Sequence, residues 1–438
     1  MNTPFPRTAV FQDGRLCSLG GVDVAALAGD FGTPLYVLDR AELVGRMHEW
    51  RDAFGPDGTV AYAGKALLVL AVAQLVDAAG LHLDVASAGE LHTALRAGFP
   101  AERLFLHGNN KSVAELEQAV DAGVGRVVVD SSSELGRLAA LADSRGQTVG
   151  VLLRVTPGIA AGGHDFIRTG GNDSKFGFSV SAGLAEEAIG RALAAPHLDV
   201  HGLHCHLGSQ ITTPDAFVAA VDIMVEVMAR VRDRHGVVLD ELNVGGGLAI
   251  VYEPADEAPV SVEEHARVLR AALAAACTGC DLPVPRLVVE PGRAIAGPAG
   301  VTLYTVGTVK DIPGVRTYAA VDGGLSDNLR PALYGARYTF APAGPGAPVH
   351  RQRPVTVAGK HCESGDVLGR DVALPAGLAE GDLLAVAATG AYGQAMASNY
   401  NRLPRPAMVL VGDGEARLIL RRETLDDVLS HDVALDDL

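Results

Sequence analysis

The sequence predicts an eight-stranded parallel (β/α) barrel followed by a C-terminal all-β domain, and three observations support this fold class. At 438 residues the chain exceeds one ordinary domain and is long enough for a barrel of about 250 residues plus a second domain. Eight apolar strand-like runs alternate with helical segments as far as Gly292. After Gly297 only short alternating runs follow, which is typical of an all-β domain.

The barrel strands are predicted as short apolar runs that end in polar or glycine residues. Between them lie stretches with helical periodicity, such as 67–79, 113–122, 182–193, 217–234 and 262–276. Such helices connect consecutive strands by right-handed crossovers, which makes the sheet parallel. Eight strand–helix units of this kind form a closed barrel. The predicted strands are AYAGK (61–65), LHLDVAS (81–87), RLFLHG (103–108), RVVVD (126–130), GVLLRV (150–155), VHGLHCHLG (200–208), LNVGGG (242–247) and RLVVEPG (286–292).

We place the barrel at residues 36–296 and the β-domain at residues 1–35 plus 297–438, because the alternation of the N-terminal segment matches nothing in the barrel. The stretch Pro34 to Asp39 is predicted to be a strand that leads into a helix. Phe340 to Gln352 is predicted to be a surface loop, and the acidic C-terminus a loose tail. The predicted β-domain strands are 301–309, 317–322, 353–359, 383–388, 407–411 and 416–421.

Composition and charge exclude several classes of function. A net charge of −16 repels nucleic acid and anionic lipid. The longest apolar stretch, Ala66 to Val76, is too short to span a bilayer, and the N-terminus lacks the pattern of a signal peptide, so a cytoplasmic protein is expected. Five cysteines without framework spacing suit a reducing compartment. Cys277 and Cys280 have CxxC spacing, but no second pair accompanies them, and no metal site is expected.

The stretch VAYAGKA, residues 60–66, ends a predicted strand and delivers Lys65 into what should be a dry site. Burial disfavours the ammonium form of lysine, so the amine would be partly neutral and nucleophilic near neutral pH. Such a lysine can form a Schiff base with a carbonyl compound. The alternative is a lysine whose stem lies along the strand end while its ammonium reaches water.

Barrel enzymes keep their chemistry at the C-terminal ends of the strands, so the residues there are the candidates for a site. Asp84 and Asp130 could cap the following helices. His107 could be a core histidine with satisfied hydrogen bonds, and Arg154 could pair with a neighbour. We assign His107 and Asp130 to these structural roles. The strand ends carry Lys65, Asp84, His107, Asp130, Arg154, His206 with Ser209, Gly245 to Gly247, and Glu290 with Arg293.

The glycines Gly245 to Gly247 follow a predicted strand, where consecutive glycines let several backbone N–H groups point at one anion; a tight turn is the alternative. A buried lysine beside a phosphate site is typical of sugar-phosphate aldolases and of pyridoxal phosphate (PLP) enzymes. Glu290 favours the latter, because PLP is an electron sink only while its ring nitrogen is protonated, which an ionised acid beside it ensures. The ring of His206 could stack on the cofactor.

Eight motifs stand in unbroken order between about residues 30 and 410: YAGKA (62–66), LDVASAGEL (83–91), HCHLGSQ (204–210), NVGGGL (243–248), EPGR (290–293), DGGLSDNLRPALYGA (322–336), GKHCESGDVL (359–368) and GAYGQAMASNYN (390–401). The first five resemble the alanine-racemase-like PLP decarboxylases. The last three narrow the resemblance to the diaminopimelate decarboxylase family. The resemblance implies a PLP-dependent decarboxylation of meso-2,6-diaminopimelate to L-lysine and carbon dioxide.

The resemblance also implies roles for individual residues. Lys65 would bind PLP as a Schiff base, His206 would stack on its ring, and Glu290 would pair with the pyridine nitrogen. Asp84 and Arg154 would support these contacts. The phosphate would be held by Ser209, Gly245, Gly246, Gly247, the backbone of Gly292 and Arg293, and the hydroxyl of Tyr392.

Further residues would bind the substrate. Arg293, Arg330 and Tyr334, together with Tyr392, would hold the carboxylate that is not lost. Glu363 would bind the distal ammonium, and Cys362 would donate the proton that replaces carbon dioxide. In this family Cys362 and Glu363 come from the partner subunit, so a homodimer is expected. The alternative for Cys362 is that it packs as a small buried apolar side chain.

One region departs from the family pattern. Such enzymes usually carry a His-x-His pair and then Ser-Thr-Gly between Pro157 and Phe178, whereas this chain has Gly162 to Asp165 and Arg168 to Gly170 there. The loop follows a strand end and could therefore touch the substrate. Decarboxylases of ornithine, lysine or arginine, or of a carrier-tethered or siderophore-precursor amino acid, stay open as alternatives. A non-catalytic regulatory relative would be expected to lack Lys65 or Cys362, and both are present.

Overall fold

A computed structural model describes residues 3–159 and 174–435. The chain forms two compact units. The first comprises the residues up to Gly45, Val251–Asp256 and the residues from Ala296 onward, and the second comprises Arg46–Ile250 and Glu257–Ile295. No described helix combines the length and the apolar character that crossing a membrane requires.

The second unit is the predicted parallel barrel, which is confirmed. Eight strands pair side by side in the order β9-β11-β12-β13-β5-β6-β7-β8, and β8 pairs again with β9 to close the sheet. Alternate apolar side chains, including Phe105 and Leu152, fill the interior. The strands are β5 Gly58–Ala63, β6 His82–Val85, β7 Leu104–Leu106, β8 Arg126–Val129, β9 Val149–Thr156, β11 Leu198–His204, β12 Glu241–Asn243 and β13 Arg286–Val289, with the short β10 Phe178–Ser179 beside β9.

Serine residues, not the strand-end acids Asp84 and Asp130, cap the helices that follow β6 and β8. Ser87 accepts a hydrogen bond from Glu90 N, and Ser131 accepts one from Glu134 N. The interpretation of Asp130 as a helix cap is therefore wrong, and the same holds for the capping alternative at Asp84. The helices are α3 Leu70–Ala78, α4 Ala88–Arg96, α5 Val113–Ala122, α6 Ser132–Arg145, α7 Leu184–Leu193, α8 Asp215–His235, α9 Val262–Gly279 and α10 Arg293–Ala296, and α2 Arg40–Phe54 precedes β5.

The first unit is built on a twelve-stranded sheet and takes up the N-terminal strands, as predicted. Its core includes the fully buried Leu16, Leu303 and Val409. Leu35–Asp39, which the predicted boundary at residue 36 assigned to the barrel, pairs instead with β14 and β20. The strands are β1 Val10–Gln12, β2 Arg15–Leu19, β3 Val22–Asp23, β4 Leu35–Asp39, β14 Gly300–Ile312, β15 Arg316–Val321, β16 Phe340–Ala343, β17 Gln352–Ala358, β18 Val367–Pro375, β19 Leu383–Val386, β20 Ala407–Gly412 and β21 Glu415–Leu420.

Two other predictions for this unit are corrected. Phe340–Ala343, predicted to begin a surface loop, is a buried strand between β19 and β2, because its alternating Ala and Pro side chains are small enough to pack in the core. The acidic tail contains a helix, Leu425–Leu429, which Thr424 caps. The helices of this unit are α1 Val24–Phe31, α11 Arg330–Tyr334 and α12 Leu425–Leu429.

Candidate active site

Lys65 lies in a 3-10 turn, Gly64–Ala66, directly after β5. Gly64 permits this turn, since a Cβ there would lie 2.7 Å from the carbonyl oxygen of Asp84. The side chain of Lys65 is exposed in the single chain, so the expectation of a buried amine is wrong for this state. Lys65 lies beyond the last residue of β5, in the turn and not within the strand, where a side chain can remain accessible. Its positive charge nevertheless acts on neighbouring groups. It opposes the rise that burial causes in the pKa of Asp84 and Glu90, and it contributes to the lowered pKa of His206.

Glu290 follows β13 and is enclosed by three side chains from other strands. His107 Nε2 lies 3.0 Å from Oε1, His204 Nε2 lies 3.2 Å from Oε2, and Asn243 Nδ2 donates to Oε1 at 2.7 Å. Burial alone would raise the pKa of Glu290, but the charges and hydrogen bonds of the two histidines hold it well below its ordinary value. Glu290 is therefore an ionised acid inside the barrel, as the sequence predicted.

His107 and Asp84 belong to the same cluster. His107 is buried, as the assignment to the core predicted, and its Nε2 lies 3.7 Å from Asp84 Oδ1 and 3.0 Å from Glu290 Oε1. Burial lowers the pKa of His107, but the two acids outweigh this effect and raise it. Burial raises the pKa of Asp84 to about 6, despite the opposing charges of His107 and Lys65. The acids beside His107 thus have opposite pKa shifts.

Arg154 and Asp130 form the next pair around the barrel. Arg154 Nε lies 3.7 Å from Asp130 Oδ2, which confirms the expectation that Arg154 pairs with a neighbour. Asp130 Oδ1 accepts a hydrogen bond from Gly177 N at 2.9 Å, and the guanidinium of Arg154 lies 4.2 Å from the ring centre of Phe176. Asp130 therefore contacts both the Arg154 side chain and the backbone of Gly177.

The glycines after β12 have a packing role that the sequence did not predict. Gly245 N donates to Asn243 Oδ1 at 2.9 Å, and Gly246 N donates to His206 Nδ1 at 3.3 Å, so these two groups are not directed at a common anion. A Cβ on Gly246 would lie 2.0 Å from the carbonyl oxygen of Glu290. Glycine is required here because two strand ends meet backbone to backbone.

His206 has an unprotonated Nδ1, since that atom accepts the hydrogen bond of Gly246. Burial lowers the pKa of His206 well below its ordinary value, and the charges of Lys65 and Arg154 act in the same direction. A neutral imidazole is thus available beside Lys65. Such a ring is suited to stacking on a flat cofactor.

Ser209 and Arg293 form a polar group after β11 and β13. Ser209 Oγ accepts hydrogen bonds from Arg293 Nε at 3.2 Å and from Nη2 at 3.0 Å. Gly292 packs so tightly that a Cβ would lie 2.9 Å from the Cβ of Ala63. A buried guanidinium with a serine hydroxyl can bind a phosphate or a carboxylate.

Arg330, a predicted substrate residue of the first unit, begins α11 and contacts two tyrosines of the same unit. Its Nη1 donates to Tyr338 Oη at 2.5 Å, and its guanidinium lies 4.9 Å from the ring centre of Tyr252. Within the described part of the chain, Arg330 forms no ion pair with a carboxylate. Burial alone would lower the pKa of the Arg330 guanidinium, but its interactions with the two tyrosines are stronger and raise that pKa above its ordinary value.

Tyr334 and Tyr392 are half-buried, and Tyr392 has φ +60°.

Cys362 and Glu363 are exposed in a loop with a rigid base. Asp366 accepts hydrogen bonds from His361 Nδ1 at 2.7 Å, His361 N at 2.9 Å and Leu325 N at 2.7 Å. Cys362 N donates to Asn401 Oδ1 at 3.0 Å. The loop therefore presents a thiol and a carboxylate to solvent from a fixed backbone. The predicted substrate loop, Gly162 to Gly170, lies outside the described residues.

Comparison with known proteins identifies the family. The sequence model for the pyridoxal binding domain of the pyridoxal-dependent decarboxylases matches residues 40–297. The diaminopimelate decarboxylase of Bacillus subtilis is 47% identical over 96% of this chain and 96% of its own length. That of Mycobacterium tuberculosis is 46% identical over 98% of this chain and 97% of its own. This chain belongs to the diaminopimelate decarboxylase family.

Solved structures agree with this membership. A crystal structure of diaminopimelate decarboxylase from M. jannaschii superposes with a TM-score of 0.91 at 33% identity, covering 98% of both chains. A lysine/ornithine decarboxylase from Vibrio vulnificus, complexed with putrescine, reaches a TM-score of 0.74 at 26% identity, covering 89% of this chain and 97% of its own. Enzymes of the diaminopimelate decarboxylase family use PLP, and the residues found here fit that cofactor: Glu290 is ionised, and a neutral ring and a lysine lie at the same rim.

The sequence did not predict four residues that contact Glu290 or Arg330 in this decarboxylase. His204 and Asn243 are each the last residue of a strand, and both contact Glu290. A polar residue that ends an otherwise apolar strand was the signal that could have found them. Tyr252 and Tyr338 contact Arg330 but carry no local pattern, because the fold brings together residues distant in sequence.

Proposed function

We propose that this chain catalyses the PLP-dependent decarboxylation of meso-2,6-diaminopimelate to L-lysine and carbon dioxide, the last step of lysine biosynthesis. The observation that carries the choice of substrate is Arg330, a buried cation held by two tyrosines and by no acid of the described chain. A substrate that keeps a carboxylate after the reaction would pair with it. Relatives named diaminopimelate decarboxylase, and the M. jannaschii structure in complex with L-lysine, support this choice.

Residues of the barrel would hold the cofactor. Bound PLP supplies an electron sink for the electron pair that departing carbon dioxide leaves behind. Lys65 would hold PLP through its amine, and the neutral ring of His206 would lie against its face. Glu290 would keep the ring nitrogen protonated, with Asp84 and Arg154 in support. Its phosphate would be bound by Ser209, the backbone of Gly247, Gly292 and Arg293, and Tyr392, since the N–H groups of Gly245 and Gly246 are already donated within the chain.

Residues of the β-domain would handle the substrate. Arg330 and Tyr334, with Arg293 and Tyr392, would bind the retained carboxylate, and Glu363 would bind the distal ammonium. The Cys362 thiol would deliver a proton to the carbon that loses carbon dioxide. The length of Glu363 argues against ornithine, because ornithine decarboxylases carry the shorter aspartate at this position.

We also propose that the protein is a cytoplasmic homodimer in which Cys362 and Glu363 of one subunit act at the barrel of its partner. Five free thiols suit the reducing cytoplasm. Neither Lys65→Ala nor Cys362→Ala homodimers should turn over well. Mixing them under subunit exchange should restore activity, because some heterodimers then contain one intact site. Mixtures that exchange subunits and stay as inactive as their parents would place both residues in one subunit.

The substrate assignment is tested by carbon dioxide release from meso-diaminopimelate, lysine and ornithine, with and without added PLP. Lysine lacks the distal carboxylate and would leave Arg330 unpaired in a closed site, at a cost of about 3–5 kcal/mol. At about 1.4 kcal/mol per tenfold, kcat/KM for meso-diaminopimelate should exceed that for lysine by roughly two to three orders of magnitude. Comparable values would contradict the assignment and favour a lysine or ornithine decarboxylase.

A further inference from the structure

Two histidines, His107 and His204, enclose the carboxylate of Glu290 from different strands. The exposed fractions of the side chains are 9% for His107, 1% for His204 and 4% for Glu290. The two imidazole rings meet edge to face, with centres 4.9 Å apart and planes at 67°. Two buried imidazoles on one carboxylate are more than packing requires, because each carries polar atoms whose desolvation must be offset.

The surroundings shift the pKa values of the two histidines in opposite directions. The acids Asp84 and Glu290 raise the pKa of His107, whereas burial lowers the pKa of His204 to about 4. At neutral pH His204 is therefore a neutral ring with a single N–H, and the contact of its Nε2 with Glu290 requires that proton to be on Nε2. Its Nδ1 is then an unprotonated atom, and it has no hydrogen-bond partner within the described chain.

The contacts account for most of the acceptor capacity of Glu290. A carboxylate offers about four lone pairs to hydrogen-bond donors. His107 and Asn243 both approach Oε1, while His204 alone approaches Oε2. Oε2, with His204 as its single partner in this set, keeps an acceptor position for a further donor.

We propose that His107 and His204 are positioning residues that keep Glu290 ionised and orient it, so that one Oε2 acceptor position faces a protonated ring nitrogen of the cofactor. This inference rests on the proposed function. His107 contributes a ring nitrogen 3.0 Å from Oε1 whose protonated form the neighbouring acids favour, and His204 contributes a neutral donor that fixes the plane of the carboxylate. Asn243 completes the set and in turn accepts the Gly245 N–H, which ties the carboxylate to the glycine turn.

The same ligand atoms of His107, His204 and Glu290 lie within 4.8 Å of one another, a spacing that a metal ion could also use. The acids Asp84 and Glu290 favour the protonated form of His107, which cannot ligate a metal, and Oε1 already accepts from Asn243. Both points favour the positioning role. The charged and titratable groups that act on Glu290 are Asp84, His107, Arg154, His204, Cys205 and His206.

The test compares three variants of the full-length protein: His107→Asn, which removes the charge, His204→Leu, which removes the donor, and His204→Asn, which keeps a donor. The dissociation constant for PLP and the pH profile of kcat/KM are measured for each. In His107→Asn we expect the constant to rise about 10- to 100-fold and the acid limb to move to higher pH, because Glu290 is protonated more readily. His204→Leu should weaken PLP binding similarly, and His204→Asn should restore most of it.

His265→Asn is the matched control, since His265 is a buried barrel histidine that contacts Trp50 and Phe217 instead of an acid. It should reduce thermal stability without changing PLP affinity or the pH profile. Unchanged PLP affinity and acid limb in His107→Asn, or the same changes in His265→Asn, would overturn the proposal.

A second measurement separates this inference from the proposed function. The ¹³C carboxyl signal of Glu290 in the full-length protein without PLP should titrate at higher pH in His107→Asn than in the wild type. An unchanged titration would overturn the positioning role even if the enzyme uses PLP. A shifted titration in a protein that does not bind PLP would support the role of His107 while contradicting the proposed function.

Discussion

Two buried glutamates lie at opposite ends of neighbouring barrel strands and have opposite pKa shifts. Glu290 follows the C-terminal end of β13, and its pKa is held well below the ordinary value. Glu241 is the first residue of β12, at the N-terminal end, and burial raises its pKa although Arg126 opposes the effect. Both are nearly fully buried, with exposed fractions of 4% and 5%. Burial therefore does not explain the difference.

The number of polar side chains around each carboxylate explains why the two pKa shifts are opposite. Three side chains lie within 3.2 Å of the Glu290 carboxylate. Glu241 has one such partner, Arg126 Nη2 at 3.2 Å, and its Oε1 has none within the described chain. Glu241 also borders a cavity of about 210 Å³ with His82 and Arg286. A buried carboxylate stays ionised when polar side chains from several strand ends contact it. In this barrel such contacts occur around Glu290, at the C-terminal ends of the strands.

The largest expected effect is on catalysis. Glu290→Gln should lower kcat/KM for meso-diaminopimelate by about 100-fold or more, because a neutral amide no longer stabilises positive charge on the ring nitrogen. Glu241→Gln removes an equally buried charge at the other end and should change kcat/KM by less than about threefold. Carbon dioxide release at saturating PLP measures both. Equal losses in the two variants would show that the two ends do not differ in function.

The sequence allowed more of the fold to be predicted than of the site. Eight barrel strands follow from apolar runs with polar ends, since a buried parallel strand needs both faces apolar. Glu290 and Lys65 could be predicted because each ends such a run. The capping role of Asp130 was wrong, and the contacts of His107 with Asp84 and Glu290 were not predicted, because which side chains meet across a barrel depends on strand order and tilt. The exposure of Lys65 could not be read from a local pattern either.

The next effect concerns stability in the protein without PLP. The pKa of Asp84 is about 6 in the folded protein and near 3.8 when unfolded, so the folded state holds a proton between these values that the unfolded state has lost. Stability therefore falls as pH rises through this window, by on the order of 3 kcal/mol. The melting temperature of Asp84→Asn should exceed that of the wild type at pH 8 and by much less at pH 4. A difference independent of pH would contradict the raised pKa.

The smallest effect should come from Glu241. Its raised pKa means that the ionised carboxylate costs stability above the ordinary pKa of 4.5. Glu241→Gln removes this charge and keeps an acceptor for Arg126, so we expect a change below about 1 kcal/mol at pH 7, towards higher stability. Denaturant unfolding at pH 7 and pH 4.5 measures it. A loss of several kcal/mol at pH 7 would mean that the Arg126 ion pair outweighs burial.

The most direct test of the contrast between the two glutamates is a ¹³C NMR titration of their carboxyl groups in the full-length protein, with signals assigned from Glu290→Gln and Glu241→Gln. We expect the Glu241 signal to titrate above pH 4.5 while Glu290 stays ionised below that pH. A Glu290 signal that titrates at higher pH than Glu241 would contradict the account, because the donors around Glu290 would then not keep it ionised.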